Sequence, residues 1–135
     1  MPATKSPGKT ARPAKRADHF RIKRIYEPAS KDDGLRVLVD RLWQRGVAKA
    51  KAHIDLWLKD VAPSDALRHH FHDHPAKWDE FVAAYGRELA QEPAKSAAAS
   101  LRQKLQTQSV TLLYAARDES HNNAVALKFL LEESA

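Results

Sequence analysis

Two short clusters of ionisable side chains carry the chemistry this sequence can offer. The first is Asp40-Arg41-Leu42-Trp43-Gln44-Arg45-Gly46, directly after the apolar stretch LRVLV. The second is Arg117-Asp118-Glu119-Ser120-His121-Asn122-Asn123, directly after the apolar run Val110 to Ala116. Each guanidinium in them is a rigid fork that suits phosphate or carboxylate. Asp40, Asp118 and His121 are the residues that could move a proton, with Asp40 or Asp118 as base and His121 as acid or base. His121 falls near the start of a helical segment, where the helix dipole disfavours a positive imidazole and free backbone N–H groups can hold an anion. Asp118 and Ser120 are natural caps for that helix, and Asn122 and Asn123 could orient a polar ligand. The structural alternative is an Asp40–arginine ion pair with Trp43 filling core, and a capping role for His121.

Other side chains are less promising. His69, His70, His72, Asp73 and His74 include pairs at the i, i+3 and i, i+4 spacing that metal ligands on a helix need. Pro75 and Asp73 place the end of that helix inside the cluster, and no thiol exists to complete a site, so these read as surface histidines and no metal is expected. The four glycines form neither a dinucleotide fingerprint nor a P-loop, so no cofactor is implied. Ser64 and Ser120 lack a nucleophile-elbow context. The absence of cysteine excludes disulfides and thiolate catalysis and agrees with a reducing cytoplasm.

The elements that must position the two clusters follow from periodicity. Val110 to Ala116 is too short for an ordinary helix and reads as a strand buried on both faces, with Tyr114 inside it and AVALKFLLEE as the helix beyond. Arg21 to Tyr26 alternates and carries three basic residues, which suits an edge strand. A loop with Gly34 leads to a second strand over Leu35 to Val39. Ala48 to Ala52 reads as a helical turn. His53 to Val61 fits both periods and is read as a strand. Ser64 offers an N-cap. Pro75 suits the first position of a helix whose buried stripe is Trp78, Phe81, Val82, Tyr85 and Leu89. Pro93 opens another, with Ala94, Ala97, Ala98, Leu101 and Leu105 inward, ending near Thr107.

Strands alternating with helices predict an α/β fold: a single small three-layer domain, with a largely parallel sheet and helices packed on it. In such folds ligands sit beyond the carboxyl ends of the strands, where both clusters fall. The formal charge of +6 is concentrated in residues 1–18, where Lys5, Lys9, Arg12, Lys15 and Arg16 face Asp18 alone, a net +4. That segment reads as a disordered basic N-terminal arm ahead of a domain over 19–135. The arm could attract nucleic acid or serve only as a solubilising tail. No apolar run is long enough to span a bilayer, and no apolar leader is evident, so a cytoplasmic location without membrane contact is expected.

VLVDRLWQRG, IDLWLKDVAPSDALR, the Trp78–Phe81–Tyr85–Glu88–Leu89 helix and TLLYAARDESHNNAVAL together resemble the short YeaO-like branch of the domain-of-unknown-function 488 family, over about residues 20–132. The resemblance implies an α/β fold and places the site at Asp40, Arg41, Arg45, Tyr114, Arg117, Asp118, His121 and Asn122. Gln44 departs from the proline common at its position. No reaction is implied. Two functions follow as expectations: a small enzyme or ligand-binding protein for a phosphate- or carboxylate-bearing ligand, a nucleotide among them, or a non-catalytic nucleic-acid or protein interaction module using the arm.

Overall fold

The structure is a computed structural model that describes residues 19–43, 47–48, 52–74 and 76–133. Its centre is a parallel sheet of β1 (Arg21–Arg24), β2 (Leu35–Leu38), β3 (Leu56–Trp57) and β4 (Val110–Tyr114), in the spatial order β1-β4-β2-β3. The last strand in sequence lies inside the sheet, with Leu112 paired to Ile22 on one side and to Val37 on the other. All five of its residues are buried. This is why VTLLY reads as an unbroken apolar run, while the edge strand β1 tolerates Arg21, Lys23 and Arg24.

Among the described residues the helices are α1 (Asp65–Asp73), α2 (Trp78–Leu89), α3 (Ala94–Leu105) and α4 (Asn123–Glu133). Strand parity sorts the core. Val37, Val39, Val110, Leu112 and Tyr114 face the helices and pack with Phe81, Tyr85, Ala98, Leu101, Leu127 and Leu131. Each fully buried aliphatic side chain there stabilises by roughly 1.5–3 kcal/mol. Leu38 and Leu113 face the other way, where Ile25, Ala52, Ile54, Trp43 and Val47 form the layer beyond the sheet. The buried face of α2 is the aromatic stripe expected from its spacing, and its Tyr85 hydroxyl donates to the Val61 carbonyl at 2.5 Å.

The far face also holds a closed polar network at the amino end of β2. Asp33 is fully buried and accepts hydrogen bonds from Ser30 N (3.0 Å), Lys23 Nζ (3.0 Å) and Arg36 Nη1 (2.6 Å). Arg36 spends its remaining donors on the His53 carbonyl (3.0 Å) and the Ala52 carbonyl (2.9 Å). Burial works to raise the Asp33 carboxyl, but these hydrogen bonds outweigh it and hold the group below the usual carboxylate range. Gly34 turns the chain into β2 at φ 64°, and a Cβ there would collide with the Ser109 backbone.

Some boundaries differ from those the periodicity predicts. β3 is only two residues long, although Asp55 N and Leu58 N also donate to the Arg36 and Leu38 carbonyls, and a 3-10 turn at Lys59–Val61 follows. Both periods therefore fit because the segment changes conformation halfway. Helix α2 begins at Trp78, not at Pro75, which lies outside the described residues; Phe81 N donating to the Lys77 carbonyl is its first turn. Ala52 N donates to the Ala48 carbonyl at 3.0 Å, and the rest of the turn expected over Ala48 to Ala52 lies outside the described residues. The arm at 1–18 lies outside the described residues. Among those described, no helix is long and apolar enough to cross a membrane.

Candidate functional site

The two charged clusters converge because β2 and β4 are adjacent and parallel, so both strands end on the same edge of the sheet. The joint is Asp40. One carboxylate oxygen accepts the Ala115 N–H beyond β4 at 3.0 Å, and the other accepts Asn123 Nδ2 at 3.0 Å. Asn123 Nδ2 also reaches the Val39 carbonyl at 3.0 Å. Burial pushes the Asp40 carboxyl above its ordinary value, and the Asn123 and Ala115 hydrogen bonds and the Arg68 charge oppose that rise. The structural alternative anticipated an arginine beside Asp40, but the direct partners are an amide side chain and a backbone N–H.

Above this joint lies a cleft of about 300 Å³ lined by Asp40, Arg41, Leu42, Pro63, Arg68, Ala115, Ala116, Arg117 and Asn123. Its three guanidinium groups come from three elements. Arg41, just after β2, donates through Nε to the Pro63 carbonyl and through Nη2 to the Ala62 carbonyl, both at 3.2 Å, which ties the strand end to the start of α1. Arg68, on α1, pairs with Asp65 at 3.1 Å. Arg117, just after β4, is exposed and has no hydrogen-bond or ion-pair partner among the described residues. Helix α1 is held over the strand ends by a double tie. Ser64 accepts from Leu67 N as its N-cap, and both Ser64 N and Ser64 Oγ donate to the Glu88 carboxylate of α2 at 2.8 and 2.6 Å.

The turn from β4 into α4 is built by its own side chains. Asp118 Oδ1 accepts from Ser120 N and His121 N, each at 2.9 Å, and these bonds hold its carboxyl below the usual range. The helix cap falls on Asn122, whose Oδ1 accepts from Val125 N at 2.9 Å and whose amide donates to the Asp118 carbonyl. Sequence reasoning assigned capping to Asp118 and Ser120. The physical difference is depth: Asn122 is buried and its amide serves both ends of the turn, whereas Asp118 and Ser120 are exposed. Asn122 and Asn123 are thus committed to the scaffold. His121 is exposed, with Nδ1 3.6 Å from Asp118 and its ring edge-on to the Trp78 indole at 4.9 Å.

The structure therefore gathers Asp40, Arg41, Arg117, Asp118, His121 and Asn122 around one groove. Tyr114 is buried among the core side chains and does not line it, and Arg45 lies outside the described residues. Arg68 and His72 also line the groove, although neither belongs to the two sequence clusters. Arg68 carries no sequence signal beyond its place in a helix capped by Ser64, and His72 stood out only as one of the histidines read as surface residues. The other histidines of that segment, His69, His70 and His74, are exposed, and His74 Nδ1 is turned to the His70 carbonyl at 2.9 Å. No group of three or more metal-ligating side chains occurs among the described residues.

Comparison with known proteins places these residues in a wider context. Residues 19–135 match the family DUF488-N3i, described as the inactive DUF488-N3 subclade. The chain is similar to the uncharacterized protein Rv3073c of Mycobacterium tuberculosis, with 40% identity over 116 residues covering 86% of this chain and 96% of that one. It is also similar to the uncharacterized protein YeaO of Escherichia coli, with 40% identity over 110 residues covering 81% and 93%. No solved structure matches the chain.

Proposed function

We propose a binding function from a family premise: the chain belongs to the inactive DUF488-N3 subclade, within the YeaO-like DUF488 family. On this reading it is a ligand-binding protein that holds the phosphate or carboxylate group of a small anionic molecule, nucleotides included. The observation that carries the reading is the arrival of Arg41, Arg68 and Arg117 from three elements at one cleft. Guanidinium forks around a concavity at strand carboxyl ends suit a bidentate anion. The negative charge of the carboxylate at the cleft floor is partly offset by the Ala115 and Asn123 N–H groups that it accepts.

Binding is favoured over turnover on two grounds. Asp40 and Asp118 each accept two hydrogen bonds from within the protein, which ties both carboxylates to the scaffold. The subclade is itself described as inactive. The His121 ring is exposed beside Asp118, with Nδ1 3.6 Å from its carboxylate.

Thermal-shift titration with phosphate, pyrophosphate and a nucleoside monophosphate tests the proposal. A ligand at about a hundred times its dissociation constant adds roughly 2.7 kcal/mol of stability, visible in a domain this small. Arg117→Ala removes no hydrogen bond or ion pair among the described residues and is expected to abolish the shift. A shift that survives both Arg117→Ala and Arg41→Ala would refute the cleft as the site.

A second reading rests on the net +4 of residues 1–18: the arm as an electrostatic contact for nucleic acid. It requires oligonucleotide binding that falls steeply with salt and is lost in a chain starting at residue 19.

A further inference from the structure

The anion cleft does not end at its arginines. Pro63, Arg68, Ala116, Arg117 and Asn123 also line a second, larger hollow of about 640 Å³. Phe71 of α1 and Phe81 of α2 form its wall, with ring centroids 4.6 Å apart and planes at 29°. His72 and His121 stand at its edge, and the Trp78 indole backs His121 at 4.9 Å and each phenyl ring at 5.5 Å. The groove is therefore polar at one end and aromatic at the other. Its total size lies in the range of small-molecule sites.

We propose that the ligand of this groove carries a flat ring beside its anionic group, as an aryl or heteroaryl phosphate or carboxylate does. The inference rests on the anion-binding reading above and adds the second half of the molecule. A bare anion would occupy only the arginine end and leave the half-buried Phe71 face uncovered, with Phe81 buried behind it. A ring attached to the anion covers that wall, where aromatic side chains favour offset or edge-on partners. Arg68 and Arg117 belong to both hollows, and a guanidinium can grip an anion through its edge while its face lies on a ring.

Isothermal titration of the full chain with methyl phosphate and phenyl phosphate tests this, since the two differ only in what the phosphate carries. Phenyl phosphate is expected to bind at least about tenfold more tightly, from the apolar area its ring removes from water. His72→Ala, at an exposed position, and the aliphatic replacement Phe71→Leu are each expected to shrink that preference while leaving methyl phosphate affinity in place. Equal affinity for the two phosphates overturns the ring and leaves the anion site standing. A ring preference untouched by either substitution also overturns it, because the ring then lies elsewhere. Binding of neither phosphate overturns the anion reading and this inference together.

Discussion

Strand β2 carries an aspartate and an arginine at each of its ends, and the two ends treat them in opposite ways. At the amino end, Asp33 and Arg36 are buried, and their hydrogen bonds run to Lys23, Ser30, Ala52 and His53 within the protein. At the carboxyl end, Asp40 and Arg41 are half-buried and Arg117 is exposed without a partner among the described residues, with a cleft between them. The same residue types thus make a closed network in one place and an open one in the other. What differs is the covering. The far-face layer brings carbonyl groups down onto Arg36, whereas α1 reaches over the strand ends only far enough to engage Arg41 through Ala62 and Pro63. A closed network holds structure, and an open one has donors to offer a ligand.

The contrast can be broken first at its closed end. Arg36→Ala leaves Asp33 buried with one partner fewer and is expected to cost about 3–5 kcal/mol, read from urea unfolding. Asp40→Ala should cost less, about 1–3 kcal/mol, because it strands the Ala115 N–H and the Asn123 amide rather than a buried charge. A loss as large as that of Arg36→Ala would mean that the carboxyl end is scaffold and not site.

The two aspartates should also respond to pH with opposite sign. The Asp33 pKa is depressed, so its contribution is present above its unfolded value and is lost as pH falls through the folded one. The Asp40 pKa is raised, so stability is greatest below its unfolded value and declines as pH rises through the folded one. Unfolding curves between about pH 2 and 7 for Asp33→Asn and Asp40→Asn, set against the parent, should diverge in opposite directions. Parallel profiles would erase the distinction. The smallest expected effect on stability is that of Arg117→Ala, within about 0.5 kcal/mol, although it should remove anion binding. A marked fall in melting temperature would show that Arg117 is part of the fold.

The open end was legible in the sequence and the closed end was not. Asp40-Arg41 and Arg117 to Asn123 stand out because polar residues crowd directly behind buried strands, a local pattern. Asp33 fell in the loop before Gly34 and Arg36 in the apolar second strand, and neither stood out from its neighbours. Their burial depends on Ala52 and His53, which meet Arg36 only after the chain has turned back. Arg68 escaped, and His72 was read only as a surface histidine, for the same reason: the Ser64–Glu88 tie that swings α1 over the strand ends joins residues far apart in sequence. The helical stripe of α2 and the central strand were readable because periodicity and length are properties of one segment. The small far-face cluster around Trp43 followed from neither, being assembled from loop and strand residues alike.

Glu132, near the end of α4, accepts the Phe20 N–H at 2.8 Å and His19 Nδ1 at 3.2 Å, and pairs with Lys128. The first and last residues of the fold are thus stitched side by side, although 112 positions separate Phe20 from Glu132. Such a chain can be rewired: a short linker from Glu133 to His19, with new ends cut at the exposed turn around Gln91 and Glu92, leaves every strand pairing intact. The permuted protein would carry its free ends between α2 and α3, so a reporter could be attached there without lengthening either original end.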